Sequence, residues 1–396
     1  MTSHFDVIVG GGSIAGLSFA TEAASNGLSV LVLEEDGRVG EPEKCDGLVS
    51  QRALDRYIGP GPGCIQSRVR SGTVYSPSGR SASLDASRLD VIVIDRSAYE
   101  EQLAAAATAN GSIVRTGVRV AGVSTENKGD VRVAVAASPS ASLSDEYTCS
   151  YYVDATGPSG VMGRNRSGLI PAAKYEVEGD WFVDGEVEVH LDQKKYPGFF
   201  AWVIPRGDGV AKVGAAGMGI NSFRTLDSFL EGRKFKIRSR VAAPIYVGGP
   251  MNDFTVGRIV YVGESAGQVK PTTAGGILGS VAGGLMAGRW MAESIRSRDP
   301  SLIANYQRDW EERFGKEFQL MKRLRQLYRH LSNDDLEKIV AALSSPSVSA
   351  KLSSTDFDFH ASALLSALGS KLTLQLAGVL VSAEAKHALA SLAQQQ

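Results

Sequence analysis

Three glycines and one acidic residue near the start of the chain have the types and spacing of a nucleotide site. Gly10, Gly11 and Gly12 follow an apolar run at residues 5–9, and Glu34 comes about 20 residues after them. Glycine permits a tight turn there, and a backbone without side chains lets a pyrophosphate approach closely. A carboxylate at the position of Glu34 accepts hydrogen bonds from a ribose. Together these residues predict a site for a dinucleotide.

The residues around the glycines have the pattern of a strand, a helix and a second strand. Residues 5–9 are apolar and rich in β-branched side chains, as in a strand buried on both faces. After the glycines, apolar residues recur at helical spacing, at Ile14, Leu17, Ala20 and Ala24. Gly27 ends that helix, and residues 28–33 predict the second strand, which Glu34 closes. The start of such a helix offers N–H groups and a positive dipole end to a phosphate.

The position of this fingerprint indicates which dinucleotide binds. In a chain of 396 residues, a fingerprint at the extreme N-terminus is typical of FAD enzymes, in which the flavin spans the whole domain. Further buried strands are predicted at 151–157 and 258–263, and a proline turn then precedes a small-residue helix that begins at Gly275. The start of that helix suits the ribityl chain and the N1–C2=O edge of a flavin. The alternative is a glycine-rich loop that only packs a helix against a sheet.

Two other residues could do chemistry beside such a cofactor. Cys45 lies in a loop at 36–50 that can curl back toward the flavin ring. Its thiol is either a reactive group, which Lys44 favours and Asp46 opposes, or a small buried apolar side chain. Arg96 stands at the beginning of a predicted helix, where a cation opposes the helix dipole. It therefore either binds an external anion or is a solvated arginine.

Aromatic and branched residues alternate along a later strand, at 196–209. Phe200, Trp202 and Ile204 fall on one side of this strand, which we call the apolar face, because successive side chains point to opposite sides. The apolar face is either an ordinary sheet core or the wall of a pocket for an apolar substrate. Neighbouring strands at 181–189 and 210–216 predict a second, antiparallel domain around it.

Length, charge and cysteine content exclude several classes of protein. The chain suits two domains and a small third region, and its apolar fraction of 43% is ordinary for a globular protein. A net charge of −1 gives no electrostatic reason to expect nucleic-acid binding. Three scattered cysteines fit a reducing cytoplasm better than a disulfide framework. We expect no signal peptide, no membrane-spanning helix and no metal site.

The three nucleotide-domain segments, separated by second-domain segments, resemble the flavoprotein hydroxylase-like superfamily with a glutathione-reductase-type FAD fold. Within it the chain resembles the geranylgeranyl reductase family, which includes archaeal enzymes that saturate the isoprenoid chains of ether lipids. The resemblance extends from the first strand to the C-terminal helices, and its motifs are EPEKCDGL, YPGFFAWVIPRGDGVAKVG, GESAGQVKPTTAGGI and LSNDDLEKI.

The resemblance implies an α/β fold with three regions. They are a discontinuous Rossmann-type FAD-binding domain at 1–66, 96–165 and 255–330, an inserted antiparallel-sheet substrate domain at 67–95 and 166–254, and a C-terminal helical region at 331–396.

It also implies roles for individual residues. The cofactor-binding residues would be Gly10, Gly12, Ser13, Ala15, Gly16, Glu34, Glu35, Cys45, Arg96, Glu264, Gly275, Gly276 and Ile277. The apolar face would bind substrate, and the catalytic candidates are Cys45, Trp202 and Phe200. The chain departs from the family pattern at four positions: Glu264 replaces Asp, Lys270 replaces a small polar residue, Phe200 replaces Tyr and Ile204 replaces Phe. These departures affect the expected substrate more than the cofactor.

The implied activity is FAD-dependent reduction of carbon–carbon double bonds in geranylgeranyl chains, on precursors of membrane ether lipids. The expected partners are a prenyl lipid and an electron donor, NAD(P)H or ferredoxin, since the sequence holds no second nucleotide fingerprint. The nearest alternative is a flavin monooxygenase or halogenase, because F-x-W-x-I-P approaches the halogenase strand W-x-W-x-I-P. A non-catalytic flavin- or lipid-binding protein is a further alternative. We expect a cytoplasmic protein, in which the apolar segment 363–383 is either a packing helix or a contact with a membrane surface.

Overall fold

The computed structural model describes residues 4–125, 130–136, 143–157, 167–353, 356–362 and 364–366. The chain divides into two compact units. The first unit comprises residues 1–65, 94–169 and 246–318, and the second comprises residues 66–93, 170–245 and those from 319 onward. Most of the predicted apolar segment 363–383 lies outside the described residues. That residues 331–396 form a region of their own stays a prediction.

The described strands alternate with short turns and a few helices along the chain. In chain order they are β1 (His4–Gly10), β2 (Val30–Leu33), β3 (Leu48–Ser50), β4 (Ile65–Arg68), β5 (Ser71–Tyr75), β6 (Ser81–Asp85), β7 (Val91–Ile94), β8 (Ile113–Arg115), β9 (Arg119–Thr125), β10 (Val131–Ala136), β11 (Leu143–Asp154), β12 (Leu169–Ile170), β13 (Ala172–Gly179), β14 (Glu186–Leu191), β15 (Phe200–Gly207), β16 (Val210–Ala216), β17 (Phe235–Ala242), β18 (Ile245–Tyr246), β19 (Thr255–Val256) and β20 (Ile259–Tyr261).

The described helices are concentrated in the last third of the chain. They are α1 (Ile14–Ser25), α2 (Gln51–Leu54), α3 (Arg96–Ala109), α4 (Ser222–Leu230), α5 (Ile277–Ser297), α6 (Asn305–Trp310), α7 (Lys316–Tyr328), α8 (Asn333–Leu343) and α9 (Pro346–Leu352). Short 3₁₀ turns lie at Pro62–Cys64, Gly263–Ala266 and Pro300–Ala304, and a π-helical turn at Glu311–Gly315 joins α6 to α7.

The first unit is built around a mostly parallel sheet. Its strands β20, β11, β1, β2 and β8 lie side by side in that order, and every neighbouring pair among them is parallel. The last four residues of β1 and all four of β2 are buried, as expected for a sheet covered on both faces. Gly10 is in register with Leu33 on one side and with Asp154 on the other. The carboxyl ends of three strands therefore meet at one sheet edge, where ligands bind in such folds.

Helix α1 returns the chain from β1 to β2 and packs closely against α5. A Cβ on Gly284 would lie 2.4 Å from the carbonyl oxygen of Ala15, and one on Gly288 would lie 2.8 Å from that of Phe19. Glycine is needed at both positions, since any side chain would force the two helices apart. The small residues in the middle of α5 therefore serve helix packing.

The second unit contains a seven-stranded sheet in the order β17-β13-β16-β15-β14-β5-β6. All neighbouring pairs are antiparallel except β14 and β5, which run parallel with Val189 opposite Val74. The predicted antiparallel domain is thus a mixed sheet. The parallel pair joins strands that are far apart in sequence, and such a pair needs no tight turn between its strands.

One face of this sheet carries the core of the second unit. Its buried residues include Tyr175, Ala201 and Val203, and helix α4 covers them with Leu226 and Leu230. Side chains at alternate positions of β15 therefore point away from this core.

Two properties bear on the class of protein. No helix in the described parts of the chain combines the length and the apolar character needed to cross a bilayer. Across the same residues, no three His, Cys, Asp or Glu side chains are grouped as a metal site requires.

Candidate functional site

The turn between β1 and α1 is held by the carboxylate of Glu34. The Gly12 N–H donates to Glu34 Oε2 at 2.7 Å, and the Asp36 N–H donates to Oε1 at 2.9 Å. Burial raises the pKa of Glu34, and these two N–H groups partly oppose that rise. Each carboxylate oxygen has a second lone pair, so Glu34 retains the capacity to accept hydrogen bonds from a ribose.

The glycines of this turn are required by close contacts within the first unit. A Cβ on Gly10 would lie 2.0 Å from the hydroxyl of the buried Tyr152, and one on Gly16 would lie 2.2 Å from the carbonyl oxygen of Gly11. Gly11 has a φ of 98°, a left-handed conformation that favours glycine. These contacts explain why small residues are needed in the turn, where the Glu34 side chain packs against the buried Gly12.

The first turn of α1 contacts an acidic residue that the sequence did not indicate. Ser13 caps the helix by accepting the Gly16 N–H at 3.5 Å. The N–H of Ile14, the first residue of α1, donates to Glu100 Oε1 at 3.0 Å. Glu100 is buried and pairs with Arg96, whose Nη2 lies 2.6 Å from Oε1. Arg96 is therefore not a solvated arginine, because Glu100 supplies a negative partner one helical turn away; that Arg96 also binds an external anion stays a prediction.

Cys45 belongs to the same cluster. Its Sγ accepts the Gly47 N–H at 3.5 Å, and the thiol faces the guanidinium of Arg96. Burial by itself lowers the pKa of Arg96, but the charge of Glu100 and the Cys45 sulfur more than compensate and raise it. The cluster thus joins three polar groups, Cys45, Arg96 and Glu100, at the start of α1. Glu35 lies apart from it, since its exposed carboxylate pairs with Arg119 at 3.4 Å.

A second set of polar contacts links β11 to the 3₁₀ turn after β20. Asp154 Oδ1 accepts the Thr156 N–H at 2.9 Å and the Ser265 hydroxyl at 3.1 Å. The Gly157 N–H in turn donates to Ser265 Oγ at 2.8 Å. Glu264, the residue before Ser265, accepts the Tyr246 N–H through Oε1 at 3.3 Å. The extra methylene of Glu264, relative to the family's Asp, thus places its carboxylate on the backbone of Tyr246.

The stability of the apoprotein should depend on pH through Glu264. Burial raises the pKa of its carboxyl, while the Tyr246 N–H, Arg96 and Lys44 partly oppose that rise. A raised pKa means that Glu264 stabilises the folded chain most below its unfolded pKa, and this contribution is lost as the pH rises through the folded pKa. Glu264→Gln is always neutral and keeps an acceptor for Tyr246.

We therefore expect Glu264→Gln to gain melting temperature relative to wild type as the pH rises from about 4 to 8. Thermal unfolding of both apoproteins across this range measures the difference. The exposed Glu312→Gln is the matched control and should show no such trend. A constant difference between Glu264→Gln and wild type at every pH would contradict the assignment.

The start of α5 is the second helix terminus of the candidate site. Gly276 caps the helix without a side chain, and Ile277 is its first, buried residue. A Cβ on Gly275 would lie 2.6 Å from Lys270 Cε and 3.1 Å from its Nζ. The buried Lys270 side chain therefore crosses Gly275 at the positive end of the helix dipole. Two sources of positive potential coincide there and favour a negatively charged group.

The apolar face of β15 lies in the second unit, on the side away from the core. Trp202 and Ile204 are 9% and 6% exposed, and Phe200 is partly exposed. Phe200 and Trp202 meet edge to face, with ring centroids 5.9 Å apart. The Trp202 ring lies across Gly214 of β16, and its indole N–H is buried without a hydrogen-bond partner among the described residues. The residues of β15 in the core that α4 covers are Ala201 and Val203, so Trp202 and Ile204 are buried on the opposite side of the strand.

Among the predicted cofactor residues, the structure places Glu34 against Gly12 and both Cys45 and Glu264 near Arg96, all within the first unit; their roles stay predictions. Two side chains that shape the turn were missed by sequence reasoning, Glu100 and Tyr152. The spacing of Glu100, four residues after Arg96, was a signal that could have been used. Tyr152 gave no such signal, since its hydroxyl meets Gly10 only through strand pairing of β1 with β11.

Comparison with known proteins places this chain in a family. No family model matches it. It is 30% identical over 374 residues to digeranylgeranylglycerophospholipid reductase 1 of Methanopyrus kandleri, which covers 86% of this chain and 94% of the relative. This relationship confirms the family that the sequence motifs predicted.

Solved structures show the same fold. A geranylgeranyl bacteriochlorophyll reductase-like protein from Thermoplasma acidophilum matches with a TM-score of 0.82 at 24% identity, over 95% of this chain and 99% of that one. The flavin-dependent halogenase CmlS matches with a TM-score of 0.64 at 15% identity, over 98% of this chain and 78% of that one. The predicted α/β fold with a Rossmann-type domain is confirmed by these likenesses. The structures show the fold, and the relationship to the Methanopyrus enzyme shows that the chain belongs to the digeranylgeranylglycerophospholipid reductase family.

Proposed function

We propose that this chain is a flavin-dependent reductase that saturates carbon–carbon double bonds in the geranylgeranyl chains of isoprenoid lipids. The observation that carries the proposal is the relative named for that reduction, which aligns over 86% of this chain at 30% identity. The glycine turn with Glu34 supports a dinucleotide cofactor, and the apolar face of β15 supports an apolar substrate. The reaction is the addition of hydrogen across an isolated alkene.

The residues of the first unit fit FAD as the flavin. Gly12 has no side chain, and the Glu34 carboxylate beside its N–H has further lone pairs for a ribose. FAD has an adenosine ribose and FMN does not, so this acid favours FAD. Lys270 and the start of α5 supply positive potential for the electron-rich edge of a flavin. When bound, FAD supplies a hydride for one alkene carbon, and the other carbon receives a proton.

The protein's contribution to such a reaction is orientation and exclusion of water. An isolated alkene has no carbonyl oxygen for the protein to polarise, so its placement must provide much of the rate. We assign the binding of the prenyl chain to Phe200, Trp202 and Ile204, whose apolar surface faces away from the sheet core. Each CH₂ of the chain removed from water contributes about 0.8 kcal/mol, so strong binding needs few directional contacts.

Cys45 is the side chain that we assign to proton delivery. Its thiol lies in the cluster with Arg96, which also pairs with Glu100 near the nucleotide turn. In Cys45→Ser, FAD should remain bound while alkene reduction falls by about 100-fold or more, as for loss of a general acid. Cys64→Ser is the matched control, because the Cys64 thiol contacts Gln102 and lies outside this cluster. Unchanged turnover in Cys45→Ser would make Cys45 a structural residue.

Anaerobic turnover tests the proposed function. The reduced enzyme is incubated with geranylgeranyl lipids and, separately, with small aromatic compounds. We expect the prenyl chain to gain the mass of two hydrogen atoms per step, in series, because neighbouring isoprene units are alike. Hydroxylated or halogenated aromatic products in air, with the prenyl lipids unchanged, would instead establish the monooxygenase or halogenase alternative. Tight FAD binding without turnover of any prenyl lipid would favour a binding protein.

The electron donor is a separate part of the proposal. We infer NAD(P)H or reduced ferredoxin, since the chain has one dinucleotide fingerprint. Anaerobic loss of flavin absorbance with each donor in turn distinguishes them.

A further inference from the structure

A buried arginine lies next to the apolar face of the second unit. Arg325 of α7 is 5% exposed and donates a hydrogen bond to the carbonyl oxygen of Gly198. Its guanidinium carbon lies 5.2 Å from the ring centroid of Phe199. Among the residues that the structure describes, no carboxylate forms an ion pair with Arg325. A buried charge of this kind is costly unless something compensates it.

A second cation lies beside it. Arg329 is exposed and lies one residue after the end of α7, and its N–H donates to the Arg325 carbonyl oxygen at 3.3 Å. A Cβ on Gly198 would lie 3.4 Å from Arg329 Cγ, so both arginine side chains reach the same backbone position. Burial and the charge of Arg329 together lower the pKa of Arg325 to about 10. Two like charges at one point form a site that favours an anion.

The acid in this neighbourhood is already bound. Asp192 lies near Tyr328, and Tyr328 stands between Arg325 and Arg329 in the sequence. Its Oδ1 accepts the Asn333 side-chain amide at 3.0 Å and the Lys194 N–H at 2.9 Å. This carboxylate therefore binds Asn333 of α8 and the backbone of its own loop, and among the described residues it forms no ion pair with either arginine.

The two arginines stand at one end of an aromatic row, which we define as Phe199, Phe200 and Trp202. Phe199 lies under the Arg325 guanidinium and stacks on Phe200, with ring centroids 4.1 Å apart and an angle of 15° between the rings. Phe200 then meets Trp202 edge to face. The row is apolar along its length and cationic at its end, as an amphiphile with an anionic head requires.

We propose that Arg325 and Arg329 bind the phosphate group of a prenyl lipid, whose chain packs along the aromatic row. This inference rests on the proposed function, because the row contains the proposed substrate surface. Arginine binds phosphate with two parallel hydrogen bonds, and its planar group also stacks on aromatic rings. A neutral side chain with an N–H group would suffice to bind the Gly198 carbonyl oxygen. A bound phosphate therefore explains why the charged guanidinium of Arg325 is buried here.

Two probes with the same chain test the phosphate contact. Geranylgeranyl phosphate and geranylgeraniol differ only in the head group. With wild-type enzyme, we expect the lower KM for the phosphate. In Arg325→Met and in Arg329→Met, the KM for the phosphate should rise about 10- to 100-fold, the usual effect of losing a charge-assisted contact. The KM for geranylgeraniol should not change in either variant.

Matched controls keep the test decisive. Arg323→Met removes an exposed charge from the same helix, two residues before Arg325 and hence on another side, and should leave both KM values unchanged. Arg329→Met tests the inference even when Arg325→Met fails to fold, since Arg329 is exposed. Equal changes in KM for both probes, or no change for either, would overturn the inference.

Two further arms separate the phosphate source and the underlying function. Inhibition by inorganic phosphate without any preference for geranylgeranyl phosphate would show a site for the free ion and overturn the lipid assignment. If wild-type enzyme reduces neither probe, the proposed function fails. Equilibrium binding of the two probes to wild type and to Arg329→Met then decides the phosphate site independently, and equal affinities for both proteins would refute it.

Discussion

Replacing Glu34 with alanine is expected to remove most of the affinity for FAD. The substitution deletes the acceptor of the Gly12 and Asp36 N–H groups and the acceptor proposed for the adenosine ribose. Hydrogen bonds to a charged group contribute about 1.5–3 kcal/mol each, so we expect FAD binding to weaken by about 100-fold or more. Titration of the apoprotein with FAD, followed by flavin fluorescence, measures the dissociation constant.

Two further variants make this result specific. Glu34→Gln keeps one acceptor oxygen and should fall between wild type and Glu34→Ala. Glu101→Gln changes an exposed acid on α3 and should bind FAD like wild type. Equal FAD affinity in Glu34→Ala and wild type would refute the assignment of this turn to the cofactor.

Removing the Glu100 carboxylate is expected to destabilise the first unit more than any other change discussed here. Glu100 Oε1 accepts both the Arg96 guanidinium at 2.6 Å and the Ile14 N–H at 3.0 Å. In Glu100→Ala, the largely buried Arg96 loses its negative partner and the start of α1 loses an acceptor. Breaking a buried pair in this way costs about 3–5 kcal/mol, which urea or thermal unfolding of the apoprotein measures.

The neighbouring residue provides the control for this effect. Glu101 pairs with Arg38 on the surface, with side chains 51% and 65% exposed, and such pairs contribute about 0–1 kcal/mol. Glu101→Gln should therefore unfold close to wild type. The double variant Arg96→Met with Glu100→Leu should recover part of the lost stability, since no buried charge is left without a partner. Equal stability of Glu100→Ala and Glu101→Gln would show that the pair does not hold this region together.

The comparison with other flavin-dependent folds shows why the fold by itself did not decide the reaction. A halogenase and a reductase-like protein share this architecture, with TM-scores of 0.64 and 0.82. Function in such folds depends on the residues of the site. Here the residues proposed for the site are the Cys45 cluster and the apolar face, and Cys45→Ser tests the first of them.

The glycine turn and its contact with Glu34 could be predicted from the sequence because the requirements of such a turn are local. Gly10, Gly12 and Glu34 lie within one strand–helix–strand segment, and each has a requirement that depends on residue type and spacing. The same holds for the alternation that places Phe200 and Trp202 on one side of β15, since the period of a strand is fixed by its backbone. Fold class and family followed from these local patterns and their order.

Other features depended on contacts between residues far apart in the chain. Glu100 reaches Ile14 across 86 positions, and Gly10 needs its small size because strand pairing brings Tyr152 beneath it. The mixed character of the second sheet arises from β5, which pairs with the distant β14. No spacing rule within a segment encodes such pairings.

The sequence by itself therefore determined the glycine turn between β1 and α1, the class of fold and the residues on each side of β15. Only the tertiary structure decided which side of β15 faces the core, with Ala201 and Val203 turned inward and Trp202 turned away. It also revealed that Arg325 is buried beside Phe199 without a carboxylate among the described residues. The physical reason is that periodicity states which side chains share a face, whereas burial and charge compensation depend on what the rest of the chain packs against that face.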